Sequence, residues 1–156
     1  TGWMDLDAEE IREIRVLAGV NQVYCEHLAR WLQHRPEVER VLYPALPEDP
    51  GHSIWRRDFQ GASGLFSVRL TPALQGHVLA FVDALKIFRI GASWGSTQSI
   101  VAPQTDRTAN PARSSTSGDR IIRFSIGLEP VDDLLLDIET ALNALPVMTA
   151  RSVERK

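Results

Sequence analysis

Apolar residues recur along the chain with two different periods, and each period predicts one class of secondary structure. Steps of three and four residues are typical of an amphipathic helix with one buried face. Strict alternation is typical of a strand that buries one side. By these patterns the predicted helices cover residues 8–34, 71–85 and 130–145, the predicted strands cover 38–43, 61–70 and 119–126, and residues 86–102 form a strand, a tight loop and a strand.

The order of these elements predicts the fold class. A helix, two strands, a helix, three strands and a helix follow one another with short connections, so most neighbouring strands should be antiparallel. The expected fold is α+β, a two-layer sandwich with a mostly antiparallel sheet and helices on one face. We expect residues 1–35 to form a linking helix, 36–148 the domain and 149–156 a charged tail. The Pro-, Ser- and Thr-rich stretch 103–119 is expected to be a long, exposed and mobile loop.

One strand–turn–helix stretch, residues 119–142, carries a candidate binding residue. Alternation along its strand places Ile122, Phe124 and Ile126 on one face and Arg123 on the other. A guanidinium among β-branched residues, just before a helix N-terminus, can clamp a carboxylate through two parallel hydrogen bonds. The alternative is a solvent-facing arginine on an edge strand, and the local pattern alone favours this ordinary interpretation.

Composition limits the class of protein. The 156 residues fit one domain, and a net charge of −3 gives no basic surface for nucleic acid or an anionic membrane. No apolar run approaches the ~20 residues that span a bilayer, and no signal-peptide pattern opens the chain. Cys25 cannot form an internal disulfide, which favours a cytoplasmic location, and its place on an apolar helix face predicts a buried, inert thiol. His27 and His34 have no companions at ligand spacing, so no metal site is expected.

Four stretches, taken together and in order, resemble a known family. They are VERVLYPALP, GHSIWRRDFQGASGLFSVRL, SWGSTQS and IIRFSIGLEPVDDLLLDIETAL. In this combination they resemble the C-terminal domain of the PLP-dependent (trans-sulfuration) enzymes of cysteine and methionine metabolism, and within that family the cystathionine β-lyases. The resemblance covers nearly the whole chain and implies the C-terminal domain of a fold-type I PLP enzyme.

The resemblance implies roles for three residues. In the family, the arginine of the strand R-x-S-x-G-L-E binds the substrate's α-carboxylate, and that arginine is Arg123 here. The serine of the S-[LW]-G loop lines the active site near the cofactor-bearing lysine, and it is Ser93 here. Trp94 follows that serine, at the position where β-lyases resemble this sequence best.

The same loop departs from the family pattern at three positions. Ser96 stands where the family usually has a second glycine, and Gln98 stands where it usually has glutamate. Ala92 precedes the serine, where γ-lyases often carry glutamate and the familiar β-lyases a tyrosine. The small Ala92 argues against a γ-lyase and leaves the substrate preference open.

The resemblance also implies that part of an active site lies outside this chain. Family members are much longer, and their preceding domain supplies the Schiff-base lysine and the groups that contact the cofactor. Lys86 and Lys156 are the two lysines here, and neither belongs to a family lysine motif. We therefore expect no catalytic residue in this chain, pyridoxal 5′-phosphate in a full-length parent, and none bound to this chain alone.

These observations lead to two functional hypotheses. In the first, the chain is the substrate-carboxylate-binding domain of a carbon–sulfur lyase that cleaves cystathionine or a related amino acid by β-elimination, inactive as an isolated fragment. The same domain of a γ-synthase or γ-lyase is a variant of this hypothesis. In the second, it is a freestanding, non-catalytic binding domain. The resemblance further implies a parent that is a homodimer or homotetramer, with no nucleic-acid or membrane partner.

Overall fold

The computed structural model describes residues 8–105 and 119–146. Within those ranges the elements are, in chain order, α1 (Ala8–Gln33), β1 (Val38–Leu42), α2 (His52–Asp58), β2 (Leu65–Leu70), a 3-10 helix (Pro72–His77), α3 (Val78–Ala84), β3 (Arg89–Ile90), β4 (Ile100–Thr105), β5 (Arg120–Ser125) and α4 (Val131–Asn143). The predicted order of helices and strands is confirmed, and α2 is added to it.

Two helices differ from the prediction for physical reasons. The expected helix over 71–85 divides into the 3-10 helix and α3, and the 3-10 part contains Gly76, a poor residue for an α-helix interior. The short α2 has no apolar period because it buries no side chain completely. Its Trp55 packs against the core and donates its ring N–H to the Gly61 carbonyl at 3.2 Å. A helix that lies on the surface in this way leaves little trace in the hydrophobic pattern.

The five strands form one sheet in the order β1-β2-β5-β4-β3. The first three neighbouring pairs are antiparallel, and the two-residue β3 pairs with β4 in parallel. This mixed, mostly antiparallel sheet confirms the α+β fold. β5, the strand of residues 119–142, lies in the middle of the sheet between β2 and β4.

The helices cover one face of this sheet, which we call the core face. Phe124 of β5 lies at its centre, with its ring stacked on Phe66 at 5.2 Å between centroids. Phe88 and Phe81 meet the same ring edge-on at 5.2 and 6.4 Å. Aromatic rings in such offset and edge-on arrangements add about 0.5–1.5 kcal/mol per pair to the burial of their surface.

The second half of α1 belongs to the same core. Leu28, Leu32 and Cys25 are buried there beside residues of β1 and α4, such as Val41 and Ile138. The prediction of a buried thiol at Cys25 is confirmed. Its removal from water raises the pKa of the Cys25 thiol to about 12.

Two sequence predictions fall largely outside the described residues. Of the loop expected over 103–119, the first three residues continue β4 as far as Thr105, and the last precedes β5. The rest of that loop and the charged tail 149–156 lie outside the described ranges. Among the helices within those ranges, none combines the length and the apolar composition needed to cross a bilayer.

Candidate functional site

The face of the sheet opposite the helices, the open face, carries the candidate site. Arg123 lies on this face of β5, directly opposite Ser67 of β2 and Ala102 of β4 in the strand register. The interpretation of Arg123 as a charge on an edge strand is therefore wrong, because β5 is central. Side chains on a central strand have neighbours on both sides, which restricts how a long cation can turn.

The loop of residues 91–99, between the parallel strands β3 and β4, crosses the open face above Arg123. The Nη2 atom of Arg123 donates to the Ala92 carbonyl at 2.6 Å and to the Ser93 carbonyl at 3.3 Å. The guanidinium carbon lies 5.3 Å from the centre of the Trp94 ring, within reach of a cation–π interaction. The three residues singled out by the sequence, Ser93, Trp94 and Arg123, therefore lie together.

Arg123 keeps unused hydrogen-bonding capacity. Its Nε and Nη1 atoms form no hydrogen bond, and its guanidinium forms no ion pair, with any residue in the described ranges. Its two partners are neutral carbonyl groups, which orient the side chain without neutralising it. A planar cation held this way presents spare donors to an anion such as a carboxylate.

Arg69, the nearby arginine of β2, has the opposite arrangement. It also lies on the open face, but its guanidinium contacts two carboxylates, Glu39 at 2.9 Å and Asp119 at 2.6 Å. Its charge is therefore balanced within the fold. Of these two arginines, Arg123 is the one suited to an external anion.

Ser93 and Trp94 are both exposed at the top of the loop. Trp94 has 64% of its surface accessible, which is unusual for a residue of its size. The side-chain hydroxyl of Ser93 makes no hydrogen bond to a described residue, since only its backbone carbonyl contacts Arg123. Both side chains are therefore available to groups outside this chain.

A second contact fixes the turn of the loop. The Gly95 N–H donates to the buried Ser125 hydroxyl at 3.2 Å, and Gly95 has a φ of 74°, in the left-handed region that suits glycine. A small cleft of about 170 Å³ lies beside this turn, between Trp94, Asn21 and Leu65. The cleft and the spare donors of Arg123 adjoin the same loop.

Two positions at which the loop departs from the family pattern contact each other. The Ser96 hydroxyl donates to the Gln98 carbonyl at 2.7 Å and accepts from the Gln98 N–H at 3.2 Å. A serine that binds the backbone two residues ahead closes a local turn. Ser96 thus closes a turn within the loop and does not contact Arg123.

Sequence reasoning missed the residues that anchor the far end of the loop. Ser99 donates its N–H and its hydroxyl to the two carboxylate oxygens of Glu129, at 2.8 and 2.7 Å. The Gly127 N–H donates to the Ser99 hydroxyl at 2.9 Å. Gly127 and Glu129 are part of the motif R-F-S-I-G-L-E, so the signal was present, but spacing alone could not pair them with Ser99.

Lys86 does not belong to this site. It is exposed in the helical layer, where its backbone N–H and that of Ile87 donate to the Asp137 carboxylate at 2.9–3.1 Å. Lys156 lies outside the described residues. Among the described residues, then, the open face offers the spare donors of Arg123 to an anion, and Lys86 lies away from them.

Comparison with known proteins identifies the family of the chain. The sequence profile of the family "Cys/Met metabolism PLP-dependent enzyme" matches residues 14–143. The cystathionine beta-lyase of Salmonella typhimurium is 42% identical over 115 residues, which are 71% of this chain and 29% of that protein. The L-alanine/L-glutamate racemase of Wolbachia pipientis is 39% identical over 127 residues, which are 80% of this chain and 32% of that protein.

A solved structure shares the fold. The crystal structure of metB from Corynebacterium glutamicum matches with a TM-score of 0.72 and 29% identity, over 87% of this chain and 36% of that one. The chain spans about a third of the length of the relatives that it matches. The sequence profile covers most of the chain, and the relatives and the solved structure agree with it. The chain therefore belongs to the family of PLP-dependent enzymes of Cys/Met metabolism, and it is most like cystathionine β-lyase.

Proposed function

We propose that these residues form the C-terminal, substrate-carboxylate-binding domain of a PLP-dependent carbon–sulfur lyase. The whole enzyme cleaves cystathionine or a related amino acid by β-elimination, and this chain by itself is inactive. Arg123 binds the α-carboxylate of the substrate. Ser93 and Trp94 line the same site from the loop above it.

The observation that carries this proposal is the unbalanced charge of Arg123. The guanidinium is held by two neutral carbonyls, while Nε and Nη1 remain free of the described residues. A hydrogen bond to a charged group is worth about 1.5–3 kcal/mol, so a carboxylate that meets these donors is bound and oriented together. Fixing the carboxylate also fixes the α-carbon next to it, at which the reaction begins.

Trp94 and Ser93 have supporting roles in this proposal. The Trp94 ring lies 5.3 Å from the guanidinium carbon, where a cation–π interaction helps to hold the Arg123 side chain in place. The exposed Ser93 hydroxyl is free to help position the lysine that the rest of the enzyme supplies.

Pyridoxal phosphate, when bound, supplies the electron sink for the charge that forms at the α-carbon of the substrate. The described residues hold the substrate rather than the cofactor. Because Lys86, the lysine within the described residues, lies outside the site, proton transfer at the α-carbon falls to the part of the enzyme that carries the Schiff-base lysine. We further propose a cytoplasmic parent that assembles as a homodimer or homotetramer.

The role of Arg123 can be tested in the full-length enzyme that carries this domain. Arg123→Ala should raise KM for the amino acid by about 10- to 150-fold, the equivalent of about 1.5–3 kcal/mol for a lost charged hydrogen bond. Arg40→Ala is the matched control, since Arg40 lies exposed on the open face at the edge strand β1. Unchanged kinetics in Arg123→Ala would remove Arg123 from the site.

The isolated chain provides a second test. Mixed with pyridoxal phosphate, it should show no imine absorbance, and with cystathionine it should release no pyruvate. Either signal from pure material would contradict the proposal that the catalytic groups lie elsewhere.

The products of the full-length enzyme identify the reaction. β-Elimination of cystathionine releases pyruvate, whereas γ-elimination releases 2-oxobutanoate. The 39% identity with the Wolbachia racemase adds a third measurement, the inversion of L-alanine. Pyruvate as the main product is expected. 2-Oxobutanoate would replace β-elimination by γ-elimination, and racemisation without either product would replace the lyase assignment.

The gene sequence tests the alternative that this chain is a freestanding, non-catalytic domain. A reading frame that runs upstream through a lysine-containing domain supports the proposal. A genuine start codon at the first residue, with no such domain, would favour the non-catalytic alternative.

A further inference from the structure

Ser99 is the junction between loop 91–99 and β4, and all of its polar groups are occupied. It is completely buried. Its carbonyl accepts from the Arg89 N–H at 3.0 Å, its N–H and hydroxyl donate to Glu129, and its hydroxyl accepts from the Gly127 N–H. A buried polar residue satisfied at every atom fixes the backbone on either side of it.

The Ser99 junction requires a carboxylate at position 129. Because the Gly127 N–H points at the Ser99 oxygen, the proton of the Ser99 hydroxyl must turn toward Glu129. Glu129 therefore faces two donors, and a carboxylate has an acceptor for each. An amide would direct its own N–H₂ at one of them and leave a buried donor unpaired.

Close approach of the two segments completes this anchor. The Leu128 N–H donates to the Thr97 carbonyl at 2.9 Å. A Cβ added to Gly127 would lie 2.5 Å from the Thr97 oxygen and 2.6 Å from the backbone carbon of Gln98. Only glycine allows this contact, so the end of loop 91–99 and residues 127–129 are fitted to each other.

Four successive contacts thus tie the loop to one segment of the chain. Arg123 holds the carbonyls of residues 92 and 93, Ser125 holds the Gly95 N–H, the Leu128 N–H holds the Thr97 carbonyl, and Glu129 holds Ser99. The Glu129 contact combines two short hydrogen bonds to a charged group. The position of the two carbonyls over Arg123 depends on it.

We propose that Glu129 is a positioning residue for Arg123. By binding both donors of Ser99 it keeps the Ala92 and Ser93 carbonyls on Nη2 of Arg123, so that Nε and Nη1 face the substrate's carboxylate. This inference rests on the proposed function of Arg123. It adds a residue that touches neither substrate nor cofactor and acts through the loop.

The test is a double-mutant cycle between positions 129 and 123 in the full-length enzyme. Glu129→Gln should raise KM for the amino acid about tenfold and change kcat by less than about twofold. In an Arg123→Lys background, which itself raises KM, Glu129→Gln should add less than about twofold, because the geometry that it disturbs is already lost. Glu139→Gln is the matched control, a glutamate of α4 whose ion pair with Arg35 lies away from the loop.

Hydrogen exchange gives a readout independent of catalysis. In Glu129→Gln, the amides of Gly95, Ser99 and Gly127 should exchange at least about tenfold faster, while those of the core strands keep their rates. If Glu129→Gln does not fold, Ser99→Ala, which removes the shared hydroxyl, is measured in its place with the same expectations.

The outcomes separate this inference from the proposed function. A raised KM in Arg123→Lys with no change in Glu129→Gln would overturn the inference alone. Equal effects of Glu129→Gln in both backgrounds would also overturn it, because they would assign Glu129 a purely structural role. An unchanged KM in Arg123→Lys would overturn the carboxylate role of Arg123 and this inference with it.

Discussion

The two faces of the sheet are made by alternate residues of the same strands, yet they are built in opposite ways. On the core face, Phe124 is 1% exposed and meets three other aromatic rings. On the open face, the preceding residue Arg123 is held by two carbonyls and keeps spare donors. The core face is stabilised by contact area, and the open face is positioned by a few directed hydrogen bonds.

This difference explains why one strand can serve both stability and binding. Burial of apolar surface is non-directional and tolerates small shifts of the side chains. Hydrogen bonds to a guanidinium depend on angle and distance, so they need a rigid support. Here the support is β5 itself, whose place in the sheet is fixed by the packing on its other face.

The largest expected effect tests whether the core face contributes more to stability than the open face. Phe124→Ala should lower the free energy of unfolding by about 3–5 kcal/mol, because it leaves a cavity among three aromatic rings. Arg123→Ala should lower it by less than about 1.5 kcal/mol, because both of its hydrogen bonds are exposed and water can bind the freed carbonyls. Urea unfolding of both variants measures the difference. Similar losses of unfolding free energy in the two variants would contradict this difference between the faces.

The next prediction tests the close packing of Gly127 against the loop of residues 91–99. Gly127→Ala should cost about 1–3 kcal/mol, because the added methyl group meets backbone atoms that cannot turn away. Gly76→Ala is the matched control, since a Cβ there meets nothing within 4 Å, and it should be neutral or slightly stabilising. Thermal unfolding of the two variants measures the difference in stability. Equal stability would contradict the close contact between the loop and residues 127–129.

The core face also predicts a pH dependence. Burial raises the pKa of the Cys25 thiol from its ordinary value of 9.0 to about 12. Between those values the unfolded chain has lost the proton and the folded chain has kept it, so stability is fully present below pH 9 and falls as the pH rises, by about 1.4 kcal/mol per pH unit.

Urea unfolding between pH 8 and 11 measures this slope. Cys25→Ala should show a smaller loss over the same range, with the contribution of Tyr43 retained, since burial raises the pKa of that hydroxyl as well. If the free energy of unfolding falls with pH at the same rate in Cys25→Ala and in the unsubstituted chain, the thiol is accessible to water.

The smallest effect concerns the backbone of the loop. Gly95→Ala should lower the free energy of unfolding by about 1 kcal/mol, because an alanine is strained at a φ of 74° although its methyl group has room. Fluorescence of Trp94 should shift in the same variant if the turn opens. An increase in stability would show that this glycine is not held in the left-handed region.

Much of the fold could be predicted from the local pattern of apolar and polar residues. Alternation placed Ile122 and Phe124 in the core and Arg123 opposite them, and the three-to-four-residue period gave α1 and α4 nearly to their ends. The short α2 escaped prediction because it buries no side chain completely. The family motifs assigned Ser93, Trp94 and Arg123 to one substrate site, and the structure brings these three residues together.

The sequence by itself therefore determined which residues face inward, where the main helices lie and which motifs the chain shares with its family. Only the tertiary structure decided that β5 is central, that the loop lies across it, and that Glu129 binds Ser99, 30 residues away. The reason is physical. Periodicity reports how one segment divides its own surface between core and water, whereas a hydrogen bond between distant segments depends on how the sheet brings them together.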